Sequence, residues 1–145
     1  MTIYGLRMHH VGCLVANLEE ALAGYRSGPL TQPVTGPIQI SGNQQVRVAF
    51  VGEPPETLLE LVEPGPDNGY LQKLLKRGVT FYHVGYLAAD LPAAEQRFLE
   101  GGSHEVARFH SEAFDGRECV FFLTAGGQMI ELIDASAAGP ESNAP

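Results

Sequence analysis

Positive charge is scarce in this chain. Nine lysine and arginine residues stand against seventeen aspartates and glutamates, a formal net charge of -8 over 145 residues, and no overall field draws such a surface onto a phosphate backbone or an anionic lipid. Neither nucleic acid nor membrane is expected as a partner. Long apolar runs are also missing. None approaches the ~20 residues that a spanning helix needs, and the start, Met1-Thr2-Ile3-Tyr4-Gly5, has no basic segment leading into an apolar signal core. The expectation is a soluble, unexported, cytoplasmic protein. Cysteine is confined to Cys13 and Cys119, both inside apolar strand-like runs where a thiol behaves as a small buried hydrophobe, which fits a reducing compartment. Neither cysteine has the His or Asp pattern of a thiol nucleophile. The chain also lacks a nucleophile-elbow serine and a glycine-rich phosphate loop followed by lysine.

What the chain does have is one module written twice. His10-Val11-Gly12-Cys13-Leu14-Val15-Ala16-Asn17-Leu18 lies over His83-Val84-Gly85-Tyr86-Leu87-Ala88-Ala89-Asp90-Leu91 at a constant offset, 83 - 10 = 73. Later, Val48 to Glu63 lies over Cys119 to Asp134 without a gap, so that Phe50 meets Phe121 and Glu60 meets Glu131. A duplicated unit constrains architecture more firmly than local propensities do. Each copy reads strand, helix, then three strands. The opening strands are placed at 8–15 and 79–87. The helices start at Asn17, with Glu20 three residues on, and at Asp90, with Pro92 in the first turn, and run to about Tyr25 and Phe98. The later strands fall near 34–40, 46–51 and 57–63, then near 104–110, 117–123 and 128–134, with Gly126-Gly127 turning the last hairpin. The turn-rich Pro64 to Gly69 leads into a short helix with Leu71, Leu74 and Leu75 on one side and Lys73, Lys76 and Arg77 on a solvated other side, a face that could also meet an anionic substrate tail.

The fold class predicted is α+β: two paired βαβββ modules, about 6–64 and 78–134, forming an open, U-shaped mixed sheet or half-barrel with helices on its convex side. Together they make a single domain over 1–134, followed by a disordered tail at 135–145.

Alternation along a strand puts His10 on a face with Met8, Gly12 and Leu14, opposite Val11, Cys13 and Val15, and puts His83 on a face with Phe81, Gly85 and Leu87. Glu60 sits between Leu58 and Val62, and Glu131 between Met129 and Ile133. An ionised carboxylate in an apolar strand costs several kcal/mol unless it is partnered. Two such sites in register call for one explanation. If the modules pair about a pseudo-twofold axis, His10, Glu60, His83 and Glu131 meet in a common cleft, where two neutral imidazoles and two carboxylates match a divalent cation. A six-coordinate ion then keeps two adjacent positions for water or substrate. His9 points the other way by parity. His104 is unassigned, and His110 is a candidate for the cleft rim.

In this order and spacing, His9-His10-Val11-Gly12, Gln44-Gln45-Val46-Arg47-Val48-Ala49-Phe50, Leu59-Glu60-Leu61-Val62-Glu63-Pro64, Tyr82-His83-Val84-Gly85 and Gly127-Gln128-Met129-Ile130-Glu131-Leu132 resemble the vicinal oxygen chelate superfamily, the glyoxalase and bleomycin-resistance group. The resemblance covers Leu6 to Ala135 and is nearest to the methylmalonyl-CoA epimerase-like branch. It implies His10, Glu60, His83 and Glu131 as ligands of Co, Ni, Mn, Zn or Fe(II), and often a homodimer. The branch usually has a second histidine where this chain has Tyr82. Glyoxalase I is resembled less, since the chain has no tryptophan.

The function expected is a metal-dependent isomerase or epimerase moving a proton at a carbon next to a carbonyl. Its substrate is a small chelating molecule, an acyl-CoA or a hydroxy-carbonyl compound. Glu131, ahead of Glu60, is the expected base, and Gln44, Gln45 and His110 are the candidates to return the proton. Alternatives are a glyoxalase I-type lyase, a small-molecule binding or resistance protein with a vestigial metal site, and an Fe(II) oxygenase, the last disfavoured by a fourth ligand.

Overall fold

In the computed structural model, which describes residues 5–136, both copies have the strand, helix and three-strand order. The first comprises β1 (Leu6–Leu14), α1 (Leu18–Arg26), β2 (Ile38–Ile40), β3 (Val46–Val51) and β4 (Leu58–Pro64). A connecting helix, α2 (Gly69–Lys76), precedes β5 (Phe81–Ala88), α3 (Leu91–Glu100), β6 (His104–Ser111), β7 (Arg117–Leu123) and β8 (Met129–Asp134). The helix starts lie where the capping residues put them. The Asn17 side chain accepts from the Glu20 N–H at 3.0 Å, Asn68 from Leu71 at 3.1 Å and Asp90 from Ala93 at 3.1 Å, so each satisfies an amide that the helix leaves unpaired.

The chain divides into two compact units, one formed by His10–Tyr82, the other by the residues up to His9 together with those from His83 onward. The division falls inside β1 and β5, whereas the repeat places the module boundary in the linker. Hydrogen bonding explains the shift. The linker and α2 are tied to the first copy, Gln72 donating to the Pro64 and Gly65 carbonyls and Asn68 to the Gln44 carbonyl. The start of β1 belongs with the second copy, where the Gly5 carbonyl accepts from Ala89 at 2.9 Å.

In the unit of His10–Tyr82 the strands run β2-β3-β4-β1, with β1 and β4 parallel and the other neighbours antiparallel. Leu18 and Leu22 of α1 pack with Ala49, Val51 and Leu61, flanked by Cys13, Val15 and Leu59. The second unit repeats the order as β5-β8-β7-β6, and Leu91, Ala94 and Phe98 of α3 cover Ala88, Val120, Phe122 and Leu132. In both units the helix takes one face of the sheet. His10 and Glu60, like His83 and Glu131, are on the other by strand alternation.

Two boundaries differ from the sequence reading. Strand β2 begins at Ile38 rather than near 34, because Pro33 and Pro37 lack amide donors and the Thr35 hydroxyl, not a backbone carbonyl, accepts from the Phe50 N–H at 2.9 Å; only an isolated bridge, Val34 to Val51, remains upstream. The tail was expected to be free from 135, yet Ala135 donates to the Ala88 carbonyl at 2.9 Å and Arg117 donates to the carbonyls of Asp134 and Ser136, each at 3.1 Å. The rest of the tail lies outside the described residues.

Helices α1 and α3 are also each tied to their sheet by an arginine. Arg47 meets Glu19 of α1 through two contacts, at 2.7 and 2.8 Å, and Glu63 of β4 at 2.8 Å, while the other Glu63 oxygen accepts from the Leu18 N–H at 2.8 Å. In the second unit Arg108 of β6 binds Glu105, Glu118 and, from α3, Glu95. Glu63→Ala removes both the carboxylate facing Arg47 and the acceptor at the start of α1. A loss of about 1–2 kcal/mol is expected in urea unfolding, below the full range for charged hydrogen bonds because Arg47 is partly solvated. A change of a few tenths would mean that water replaces the carboxylate without cost. The hydrogen bond from Arg47 also holds the Glu19 carboxyl below its ordinary value of 4.5. A depressed carboxylate contributes stability that is present at neutral pH and is lost as pH falls below that value.

Candidate functional site

The side chains at issue come in two matching sets. On the face of the first sheet away from α1, His10 of β1 and Glu60 of β4 are buried, 0% and 6% exposed. Their Nε2 and Oε1 atoms are 3.5 Å apart. Parallel pairing sets Gly12 opposite Glu60, and antiparallel pairing sets Phe50 of β3 against the other side of the same glutamate. The Phe50 ring meets the imidazole edge to face, with centroids 5.8 Å apart.

The second unit has the same construction. His83 of β5 and Glu131 of β8, each 4% exposed, approach to 3.4 Å. Gly85 lies opposite Glu131 on one side and Phe121 of β7 on the other. Phe121 meets the His83 ring edge to face at 5.1 Å. Each glutamate thus lies between a glycine on one neighbouring strand and a phenylalanine on the other, and the phenylalanine ring packs on the paired imidazole.

These separations suit shared ligation. Ligand atoms that each lie ~2.0–2.2 Å from one ion are roughly 3.0–3.4 Å from each other at octahedral to tetrahedral angles, close to the observed 3.4 and 3.5 Å. A well-formed nitrogen to oxygen hydrogen bond is shorter, typically ~2.9 Å. The donor set, imidazole nitrogen and carboxylate oxygen, is the one that first-row divalent ions take.

Each sequence-predicted ligand is therefore buried in its unit, His10 beside Glu60 and His83 beside Glu131. His110 is not part of the second pair. It lies opposite Glu118, whereas its neighbour Phe109 lies opposite Cys119 and stacks on Phe121, so alternation turns His110 to the face bearing Val120 and Phe122, where it is exposed. His104 is exposed at the start of β6, and His9 packs edge to face on Phe114 at 5.2 Å. Gln45 has φ +50° in the turn before β3, and its carbonyl accepts from Gly65. The Gln44 side chain contacts Asn43 at 3.3 Å. Lys73, Lys76 and Arg77 are exposed on α2. Both cysteines are free thiols, and burial pushes the Cys13 thiol up.

Sequence reasoning missed the roles of Phe50 and Phe121, although the repeat itself aligns them. Each is the cross-strand neighbour of a buried glutamate, a relation that becomes visible once the registers of β3 with β4 and of β7 with β8 are known.

Comparison with known proteins adds three findings. A family model described as the Glyoxalase/Bleomycin resistance protein/Dioxygenase superfamily matches residues 9–122. An ethylmalonyl-CoA/methylmalonyl-CoA epimerase of Cereibacter sphaeroides is 35% identical over 101 residues, which cover 67% of this chain and 72% of the relative. Among solved structures, the methylmalonyl-CoA epimerase from Mycobacterium tuberculosis aligns with a TM-score of 0.73 at 26% identity, over 88% of this chain and 86% of that one. Streptomyces coelicolor methylmalonyl-CoA epimerase in complex with 2-nitronate-propionyl-CoA aligns with a TM-score of 0.75 at 22% identity, over 92% and 96%. Among the described residues, no helix is long and apolar enough to cross a membrane.

Proposed function

Since the chain belongs to the glyoxalase/bleomycin resistance protein/dioxygenase superfamily, we propose that it is a metal-dependent epimerase acting on a 2-substituted malonyl thioester carried by coenzyme A, with His10, Glu60, His83 and Glu131 as the ligands of one divalent ion. The observation that carries this reading is the pair of buried His–Glu contacts at 3.5 and 3.4 Å, built alike in the two copies. The four side chains offer one ligand atom each, and among the described residues they are a group suited to a metal ion. Their combined charge of about -2, with both imidazoles neutral, is what a divalent ion offsets. The epimerase relatives support the substrate class.

When bound, such an ion supplies positive charge for the enolate oxygen that develops as the proton leaves. The remaining chemistry belongs to the chain. Glu131 takes the proton from the carbon between the thioester carbonyl and the carboxylate, and the bonding pair moves into the enolate. Return of a proton to the opposite face inverts that carbon, and Glu60, the matching carboxylate of the other copy, is assigned this second role: it takes up a proton from solvent and passes it to the enolate carbon, while Glu131 releases the abstracted proton to solvent. Phe50 and Phe121 hold the imidazoles in place and exclude water from the carboxylates.

The test is incubation of the manganese- or cobalt-loaded protein with one epimer of methylmalonyl-CoA or ethylmalonyl-CoA in deuterated water. One deuterium at the central carbon and loss of circular dichroism are expected. Metal-loaded protein that exchanges neither compound would move the reading to a lyase or a binding protein.

A further inference from the structure

The two copies match at the ligands and at the phenylalanines, but differ one strand further out. In the second copy, β6 is eight residues long and continues past Phe121, placing Ala107 directly opposite that ring. Phe109, two residues along and on the same face, stacks on Phe121 with centroids 5.9 Å apart and planes 18° from parallel. Beside the His83–Glu131 pair lies an apolar shelf: two stacked rings form it, with the small side chain of Ala107 at the next place along. Ala107 and Phe109 are both only half-buried.

The first copy has an aliphatic side chain where the second has the outer ring. Strand β2 has three residues, and Ile38, opposite Val48, occupies the place that Phe109 takes opposite Cys119. Beyond it the regular ladder is interrupted, and Thr35 exchanges two bonds with Phe50, its N–H donating to the Phe50 carbonyl and its hydroxyl accepting from the Phe50 N–H, each at 2.9 Å. The main chain of Phe50 meets the polar Thr35, whereas the ring of Phe121 meets the ring of Phe109. Two near-identical ligand pairs cannot by themselves orient an asymmetric substrate. An aromatic shelf beside only one of them can.

We propose that Phe109, Phe121 and Ala107 form the subsite for the apolar substituent on the reacting carbon, and that the small Ala107 side chain makes room for substituents larger than methyl. The identity of the substrate rests on the epimerase reading above. The subsite itself is testable without turnover.

The probes are methylmalonate and butylmalonate, titrated calorimetrically into manganese-loaded protein. The wild type is expected to bind butylmalonate at least about tenfold more tightly, given what three buried methylene groups contribute. Ala107→Phe fills the space and Phe109→Ile copies the other half of the molecule. In either variant the preference is expected to fall below about twofold, chiefly through weaker butylmalonate binding, with manganese content unchanged. Ile38→Phe, at the matching place in the first copy, serves as the control and is expected to leave the preference intact. Equal binding of the two probes by the wild type, no binding of either, or a preference that survives in both shelf variants would overturn the proposal. Solvent-deuterium exchange with the corresponding thioesters separates the two claims: a size preference without exchange removes only the epimerase reading, and exchange without a size preference removes only the shelf.

Discussion

Glu131→Ala is expected to bring the divalent metal content from about one ion per chain to near zero, and solvent-deuterium exchange to background with it. Glu131 is 4% exposed and lies 3.4 Å from the His83 Nε2, so the alanine removes both a negative charge and a ligand atom from a buried pair. Glu131→Gln separates the two losses, because an amide oxygen can still coordinate but cannot take a proton. Exchange should then fall roughly 100- to 10,000-fold, the range for loss of a general base, while part of the metal is retained. Glu60→Gln provides the comparison for the matching carboxylate. Elemental analysis of protein purified without chelating resin, run beside the exchange assay, reads both quantities. Metal retained at full occupancy in Glu131→Ala would remove Glu131 from the ligand set. Full activity in Glu131→Gln would remove it as the base.

The four polar residues were legible because two independent sequence signals coincide at them. Strand alternation turns His10 and Glu60 away from the face that Leu18 and Leu22 cover, and the repeat places His83 and Glu131 in the same relation to Leu91 and Ala94. Helix starts were readable for a similar reason, since the Asn17 and Asp90 caps act through contacts three residues long. The outer strands were not. Strand β2 shrinks to three residues through a side-chain acceptor, Thr35, that competes with the ladder. In β6 the register shifts between Glu105 and Ala107, so no count of alternating residues could say whether Phe109 or His110 would share a face with Glu131. The arginine ties escaped for a different reason. Glu118 occupies the place of Arg47 in the repeat, and the cation has moved to Arg108 on the next strand. Charge is preserved between the copies as a function, not as an aligned residue.

This division between inner and outer strands has a physical basis. Residues next to the ligand pair are fixed by burial on both faces, where one methylene too many or an unpartnered charge costs stability. The outer strands are half exposed, and the two copies can diverge there without unfolding. The duplication thus keeps the buried residues His10, Glu60, His83 and Glu131 matched and lets the two copies differ at Ile38 and Phe109.

The same burial leads to an opposite effect on stability and function. Replacing both ligand carboxylates with methionine, Glu60→Met with Glu131→Met, is expected to stabilise the metal-free protein while abolishing metal binding. Burying a carboxylate costs several kcal/mol in desolvation, and exchanging buried ionic groups for apolar side chains of similar volume is often neutral or stabilising by about 1–4 kcal/mol. Neighbours on the same face favour the exchange, since Leu58, Val62 and Ile133 are buried hydrophobics. On the metal-dependent reading, the wild type is expected to gain stability from the ion instead. By mass action, a ligand at about 1,000 times its dissociation constant adds roughly 4 kcal/mol, so manganese should raise the wild-type melting temperature and leave that of the double variant unchanged. Urea unfolding with and without chelator measures both effects. If the metal-free double variant is less stable than the metal-free wild type, Glu60 and Glu131 are held by structural hydrogen bonds whose loss outweighs the desolvation relieved, and their burial no longer argues for a cation.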